Sequence, residues 1–352
     1  MKRYSLLSAG IFALLFLSCD KSSDVVVSDS GISPRTPPHA PNTLNAAFSR
    51  GFGINNFGVV TGCVRNGYGQ IVAFALSHQG IWFSEETVAP EGIPINRFSV
   101  NDKGVIAGQK VVPGGIAPVF WKNGQAYDLP LLPGYPFGGV FDVNNKGQMV
   151  GESLNGNYVS PTGSRPTVFS LEGATDLGTL GGNIGGATSI NEKGEIVGWA
   201  ETSTPGQTRA FLYKDGVMSD LGTLGGPWSN STSINNKSEI VGRSVLADGV
   251  SVRGFLWVKG QMTDIGTLGG NGTVAQDIND RGEIVGYSRI SSGPFHAFLF
   301  ADGVMTDIGA LLPGNDSRAI SINNDGDVTG YYSHPNGSIH AFLYRNGEMI
   351  EL

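Results

Sequence analysis

The sequence is short of charge, of cysteine and of any helical signature. Only 15 % of its 352 residues are Asp, Glu, Lys or Arg, while 40 % are apolar. A chain so apolar and so lightly charged buries enough surface to offset its ordering entropy, which excludes a disordered protein. The 23 basic residues are outnumbered by 30 acidic ones, a net charge of −7, so a protein whose main task is holding nucleic acid is excluded. Two cysteines and five histidines leave no disulfide framework and few zinc ligands. His-Glu-x-x-His is absent, as is Gly-x-Ser-x-Gly between strand and helix. No glycine-rich segment is followed by the Lys of a phosphate loop, and no cofactor is expected. What is abundant is glycine, 53 residues, roughly twice the usual share. These glycines lack the three-residue period of collagen, and so imply tight turns between short strands.

The first eighteen residues have the order of a secretory signal: Lys2 and Arg3, an apolar run from Leu6 to Leu17 too short to span a bilayer, then Ser18-Cys19. Ser18-Cys19 resembles a bacterial lipobox, which implies cleavage before Cys19 and lipid attachment to its sulfur; the alternative is a secreted protein cleaved nearby without lipid. Removing the signal leaves 21 basic against 30 acidic residues, a charge of −9. Residues 19–47, rich in Ser, Asp and Pro, read as a flexible tether. Cys63 then stands alone, as a small core residue.

Residues 48–352 are one unit written seven times. An Asn recurs at Asn55, Asn101, Asn144, Asn191, Asn235, Asn279 and Asn323, inside runs such as SINEKGEIVG and DINDRGEIVG. About seventeen residues later comes a second run, such as RAFLYKDG or HAFLFADG, and then a tail such as TDLGTLGG. Each unit reads as four short strands. Asn-x-x-Gly closes the first hairpin, because Asn bonds the backbone two residues on and Gly adopts positive φ. One such sheet has two apolar faces and must stack on neighbours. The expected fold is all-β, a seven-bladed β-propeller of four-stranded antiparallel blades of about 44 residues; an open solenoid would need parallel rungs.

The units resemble the HAF family of bacterial extracellular repeats, on His296-Ala297-Phe298 and His340-Ala341-Phe342 and on the DLGTLGG tails at Asp176 and Asp220. The resemblance implies an extracytoplasmic, propeller-like domain and supplies no catalytic residues. Val72, Ala117 and Pro166 stand where the family has His.

Short turns mark one face of the expected ring. The other carries the longer and more variable connections, where binding usually resides. On that face Arg65, Arg97, Lys110, Arg165, Arg209, Arg243, Arg253, Arg289 and Arg318 outnumber Glu91, Glu152, Glu201, Asp248 and Asp316. Arg209, Arg253, His296 and His340 occupy one slot in four successive units. With Trp199, Tyr287, Phe295, Tyr331 and Tyr332 they are the candidate ligand-binding arc. Arginine forks pair with anions and aromatic planes stack on sugars, so the expected partner is a glycan or anionic polysaccharide. A structural reading has the same slot capping a strand and packing on the neighbouring unit.

The candidate catalytic pair is Asp142 and Asp277, the acids at one first-strand position, which a ring would set nearly across its channel. Opposed carboxyls ~6.5–9.5 Å apart can invert a glycosidic bond; as turn-bonding residues they would be structural. The tail acids Asp176, Asp220, Asp264 and Asp307 lack the density of a calcium loop and are expected to accept hydrogen bonds at the fourth strand. The sequence thus predicts a lipid-anchored monomer at the outer membrane or cell surface, touching membrane through its lipid alone. Its function would be binding or scaffolding, with a polysaccharide lyase or glycosidase, or a protein-interaction platform, as alternatives.

Overall fold

The computed structural model describes residues 48–89, 97–157 and 160–352; Cys19, the signal and the tether lie outside them. The described chain is all-β: 28 strands and, as its one helical element, a 3-10 turn at Gly309–Leu311. The strands run as consecutive meanders of four, over residues 49–89, 99–128, 137–176, 181–220, 225–264, 269–307 and 316–351. They assemble into six sheets. Five have four strands, and the sixth has eight because one parallel bridge, Val252 to Gly272, joins the fifth and sixth meanders. Every pairing within a meander is antiparallel, as the Asn-x-x-Gly turns require.

The repeated Asn is the device that sets one meander against the next. In the fourth meander, Asn191 Oδ1 accepts from the backbone N–H of Lys193 and Glu195 (both 3.0 Å), closing its own turn. Its Nδ2 donates to the Asn235 carbonyl of the next meander at 3.1 Å. The same donation links Asn55 to Asn101, Asn101 to Asn144, Asn144 to Asn191, Asn235 to Asn279 and Asn279 to Asn323. Asn323 donates to the Asn55 carbonyl at 3.0 Å, from the last meander to the first. The following residue repeats the pattern: the backbone N–H of Asn324 donates to Asn56 Oδ1 at 2.9 Å.

Apolar clusters lie between consecutive meanders, as two-faced sheets demand. Val197, Ala210 and Leu221 of the fourth pack on Ile234, Ile240 and Phe255 of the fifth. Ile54, Val60 and Phe74 of the first pack on Ala341, Leu343 and Leu352 of the last. Close approach explains the glycine of Ile-Val-Gly: a Cβ on Gly286 would lie 2.0 Å from the Val274 carbonyl oxygen, where the first strand bulges. Two cavities of about 190 and 110 Å³ follow the first strands, and residues from all the meanders line each.

One register differs from the sequence reading. In the third meander Thr167 pairs with Asp176, as Phe211 pairs with Asp220 in the fourth. The hairpin turns at Leu171-Glu172, so Arg165 rather than Pro166 fills the slot of Arg209.

Candidate functional site

The structure divides the expected arc in two. The slot residues are committed to their own acids. Arg165, Arg209 and Arg253 reach Asp176, Asp220 and Asp264 at 3.3, 3.9 and 3.6 Å. His296 meets Asp307 at 2.8 Å, and His340 meets Glu351 at 2.9 Å. In the second meander, where the slot holds Ala117, Lys110 on the paired strand reaches Asp128 at 2.5 Å. Each slot arginine also donates Nη1 to the carbonyl of the preceding residue and to one eighteen residues on: Asn183 for Arg165, Pro227 for Arg209, Asn271 for Arg253. That second carbonyl belongs to the first strand of the next meander, so the slot is a clip between neighbours. Tyr332 is fully buried and donates its hydroxyl to Glu351. The tail acids Asp176, Asp220, Asp264 and Asp307 reach this face as well and offset its basic excess. Each tail acid also accepts a backbone N–H, as Asp220 does from Gly222 at 2.8 Å.

Asp142 and Asp277 are held in the same spirit. Asp142 accepts from the hydroxyls of Ser99 and Ser189, in the meanders on either side, and from the N–H of Val143 and Ile190, at 2.6–2.9 Å. Asp277 accepts from Ser233, Ser321, Ile278 and Ile322 at 2.6–2.9 Å. Burial pushes the Asp277 carboxyl up, against these four donors. Four donors on each carboxylate, two per oxygen, make these acids inter-meander staples on the cavity wall. No metal-binding group of three or more His, Cys, Asp or Glu occurs among the described residues. Cys63 is buried, and burial pushes its thiol up to about 12, so no thiolate forms near neutrality.

A second group of arginines is arranged against aromatic rings. From the sixth meander through the seventh to the first, guanidinium groups alternate with aromatic rings. Arg289 lies over Phe295 at 4.3 Å. Arg318 lies within 5.6 Å of Phe295, 5.0 Å of Tyr287 and 6.0 Å of Tyr331. Arg50 lies over Tyr331 at 4.6 Å and Phe48 at 5.1 Å, and Arg65 reaches Phe48 at 5.7 Å. Tyr287 and Phe295 meet edge-on, centroids 5.2 Å apart. Arg50 and Arg318 hold one position on the first strands of the first and last meanders, paired with Cys63 and Tyr331. The equivalent position holds Gly139, Gly186, Asn230 and Val274 in the third to sixth meanders, which keeps the ladder out of that part of the array. Among the residues named from sequence, Tyr287, Arg289, Phe295, Arg318, Tyr331 and Arg65 belong to it. Arg50 and Phe48 were missed, because they precede the repeat's recognisable text.

On the wall of the smaller cavity, Arg97 donates to the Thr188 carbonyl at 3.3 Å and lies over Phe141 at 5.4 Å. Arg243 lies over Trp228 at 5.6 Å. Trp199 borders Glu152: a Cβ on Gly186 would lie 3.1 Å from Glu152 Oε2 and from Trp199 Nε1. Burial pushes the Glu152 carboxyl up to about 7, with Arg97 opposing.

No family model matches the sequence, and no curated protein does. Solved structures do match in fold. The β-propeller domain of the Trilobed protease from Pyrococcus furiosus aligns with a TM-score of 0.56 at 9 % identity, over 86 % of this chain and 97 % of its own. The fold is a β-propeller. A puromycin hydrolase (S511A mutant) aligns at 0.56 and 12 % identity, over 88 % of this propeller chain and 53 % of its own. A Mycobacterium tuberculosis puromycin-hydrolyzing peptidase aligns at 0.52 and 10 %, over 90 % and 56 %. The propeller chain thus spans about half the length of each of these two enzymes.

Proposed function

We propose that this chain is an extracytoplasmic, lipid-anchored binding module of the HAF repeat type. It is a closed seven-bladed propeller that takes an anionic polysaccharide on the face of its variable loops. The Asn donations that pass from each meander to the next, and from the last to the first, support the ring. The observation that carries the function is the Arg–aromatic ladder: Arg289, Arg318, Arg50 and Arg65 interleaved with Phe295, Tyr287, Tyr331 and Phe48. Guanidinium forks recognise carboxylate or sulfate bidentately, and the half-buried rings between them offer planes for pyranose faces. The basic sector is local in a chain of net charge −7, so it gathers anions to one edge of the face rather than to the whole surface.

The test is retention of the purified chain in gels cast with uronic-acid or sulfated polysaccharides. The expected result is retardation that weakens with salt and that Phe295→Ala with Arg289→Gln reduces. Arg209→Gln and Arg253→Gln should leave it unchanged, because those side chains are already paired. New ultraviolet absorbance from the polymer would mean lyase chemistry, and no retardation with any anionic polymer would favour a protein partner; either result overturns the reading.

A further inference from the structure

Arginines on this protein fall into spent and unspent classes, and the unspent ones converge at one seam. Arg165, Arg209 and Arg253 each serve a carboxylate and two carbonyls. The Arg50 side chain has no carboxylate within ion-pair distance and no hydrogen-bond partner among the described residues, and its Nε is buried without an acceptor. Its neighbours are two rings, Phe48 and Tyr331, and the neutral thiol of Cys63. Arg318 is held only through Nε, 3.3 Å from Asp316 Oδ1, which leaves both Nη groups to outside acceptors. Burial works against its charge, but Tyr331, Asp316 and Tyr287 outweigh it and hold its pKa above the ordinary value. Two permanent cations sharing the Tyr331 ring, with a carboxylate paired to Arg318 alone, are a standing excess of positive charge. A buried guanidinium nitrogen without an acceptor is costly to leave unmade.

We propose that Arg50 and Arg318 form a two-arginine fork that holds one oxyanion, a sulfate ester or a carboxylate, of the bound chain beside Tyr331. This rests on the reading of the loop face as a binding surface and fixes where on it the charged group sits. Arg50 belongs to the first strand of the first meander and Arg318 to the first strand of the last. An anion held by both therefore ties the two ends of the repeat together, and its binding stabilises the native state by linkage.

The experiment follows the arginine Nε–Hε signals of the full chain by NMR at low salt, with inorganic sulfate and sodium glucuronate added in separate titrations. The expected result is a saturable shift at Arg50 and Arg318, with Arg209 and Arg253 unmoved. Saturation by sulfate alone assigns a sulfate ester, and by glucuronate alone a uronate. Replacing both residues, Arg50→Gln with Arg318→Gln, should cut polymer retention at least about tenfold. Arg50→Lys with Arg318→Lys keeps the charges, removes the fork and should lose most of the same affinity. Shifts that stay linear in concentration, or that are equal at Arg209, overturn the fork. So does retention that survives the glutamine pair, although that result leaves the polysaccharide reading standing. Saturable monomer binding with no polymer retention would keep the fork and remove the polysaccharide.

Discussion

Ser238 occupies φ +65° at the turn position where Gly58, Gly104, Gly147, Gly194, Gly282 and Gly326 stand in the other units. A side chain there costs about 1–2 kcal/mol. The serine offsets part of it: its Oγ donates to Glu195 Oε2 at 2.6 Å and accepts from Lys193 Nζ at 3.1 Å, on the neighbouring meander. Ser238→Gly removes strain and a hydrogen bond together, whereas Ser238→Ala keeps the strain and loses the bond. The alanine variant should therefore be less stable than the glycine variant by about 1–2 kcal/mol in urea unfolding. Equal stabilities would show that a side chain at this positive φ costs nothing. Glu152 offers a second residue-scale test. With its carboxyl raised from 4.5 to about 7, the native state keeps a proton that the unfolded chain has lost in that window. Its contribution is fully present below the ordinary Glu pKa and is lost as pH rises through 7, by no more than about 3 kcal/mol. Thermal midpoints measured from pH 5 to 8 should fall in the native chain, and Glu152→Gln should flatten that slope. A slope unchanged by the substitution removes Glu152 as its source.

At the scale of strands and turns, the repeat text was legible because each of its residues answers a local need. Asn191 caps its own turn, Gly194 supplies positive φ, and Glu195 accepts from Asn191 Nδ2 at 2.7 Å. These requirements lie within four residues of one another, so they recur as a readable string. The pairing of Arg209 with Asp220 spans eleven residues across a hairpin, and its clip to Pro227 crosses to the next meander. The basic column is visible in sequence, whereas its neutralising acids sit on the fourth strand and meet it only once the hairpin closes. The ladder was harder still. Arg50 joins Tyr331 only after nearly the whole repeat array has been traversed, and the one-residue shift that puts Arg165 in register depends on where a loop turns. The clip itself predicts an outcome. Arg209→Ala should cost about 1–2 kcal/mol in denaturant unfolding, since it removes an ion pair to the exposed Asp220 and a hydrogen bond to the Pro227 carbonyl, without altering polymer retention. A loss of retention at unchanged stability would return Arg209 to the binding surface.

The whole molecule depends on a seam that no covalent connection crosses. Within the array each meander follows its neighbour along the chain, so losing one Asn leaves the sheets tethered. At the seam, the last meander is held by Asn323 to the Asn55 carbonyl, by the N–H of Ala341 to Ser49 Oγ at 2.9 Å, by the bridge from Phe48 to Ile339, and by Leu352 buried among first-meander side chains. Asn235→Ala and Asn323→Ala delete the same side-chain bonds, and each should lower global stability by about 2–4 kcal/mol. Their local consequences should differ. Removing Asn323 lowers the cost of parting the first and last meanders while the rest stays folded, a sub-global opening. Native-state hydrogen exchange should then accelerate at the Ala341 amide in Asn323→Ala, well beyond what the fall in global stability explains. In Asn235→Ala the same amide should exchange only through global unfolding. Added anion should slow that exchange in Asn323→Ala if Arg50 and Arg318 grip it across the seam. Identical exchange in the two variants would mean that the seam is no weaker than any other interface and that the fork has no opening to close.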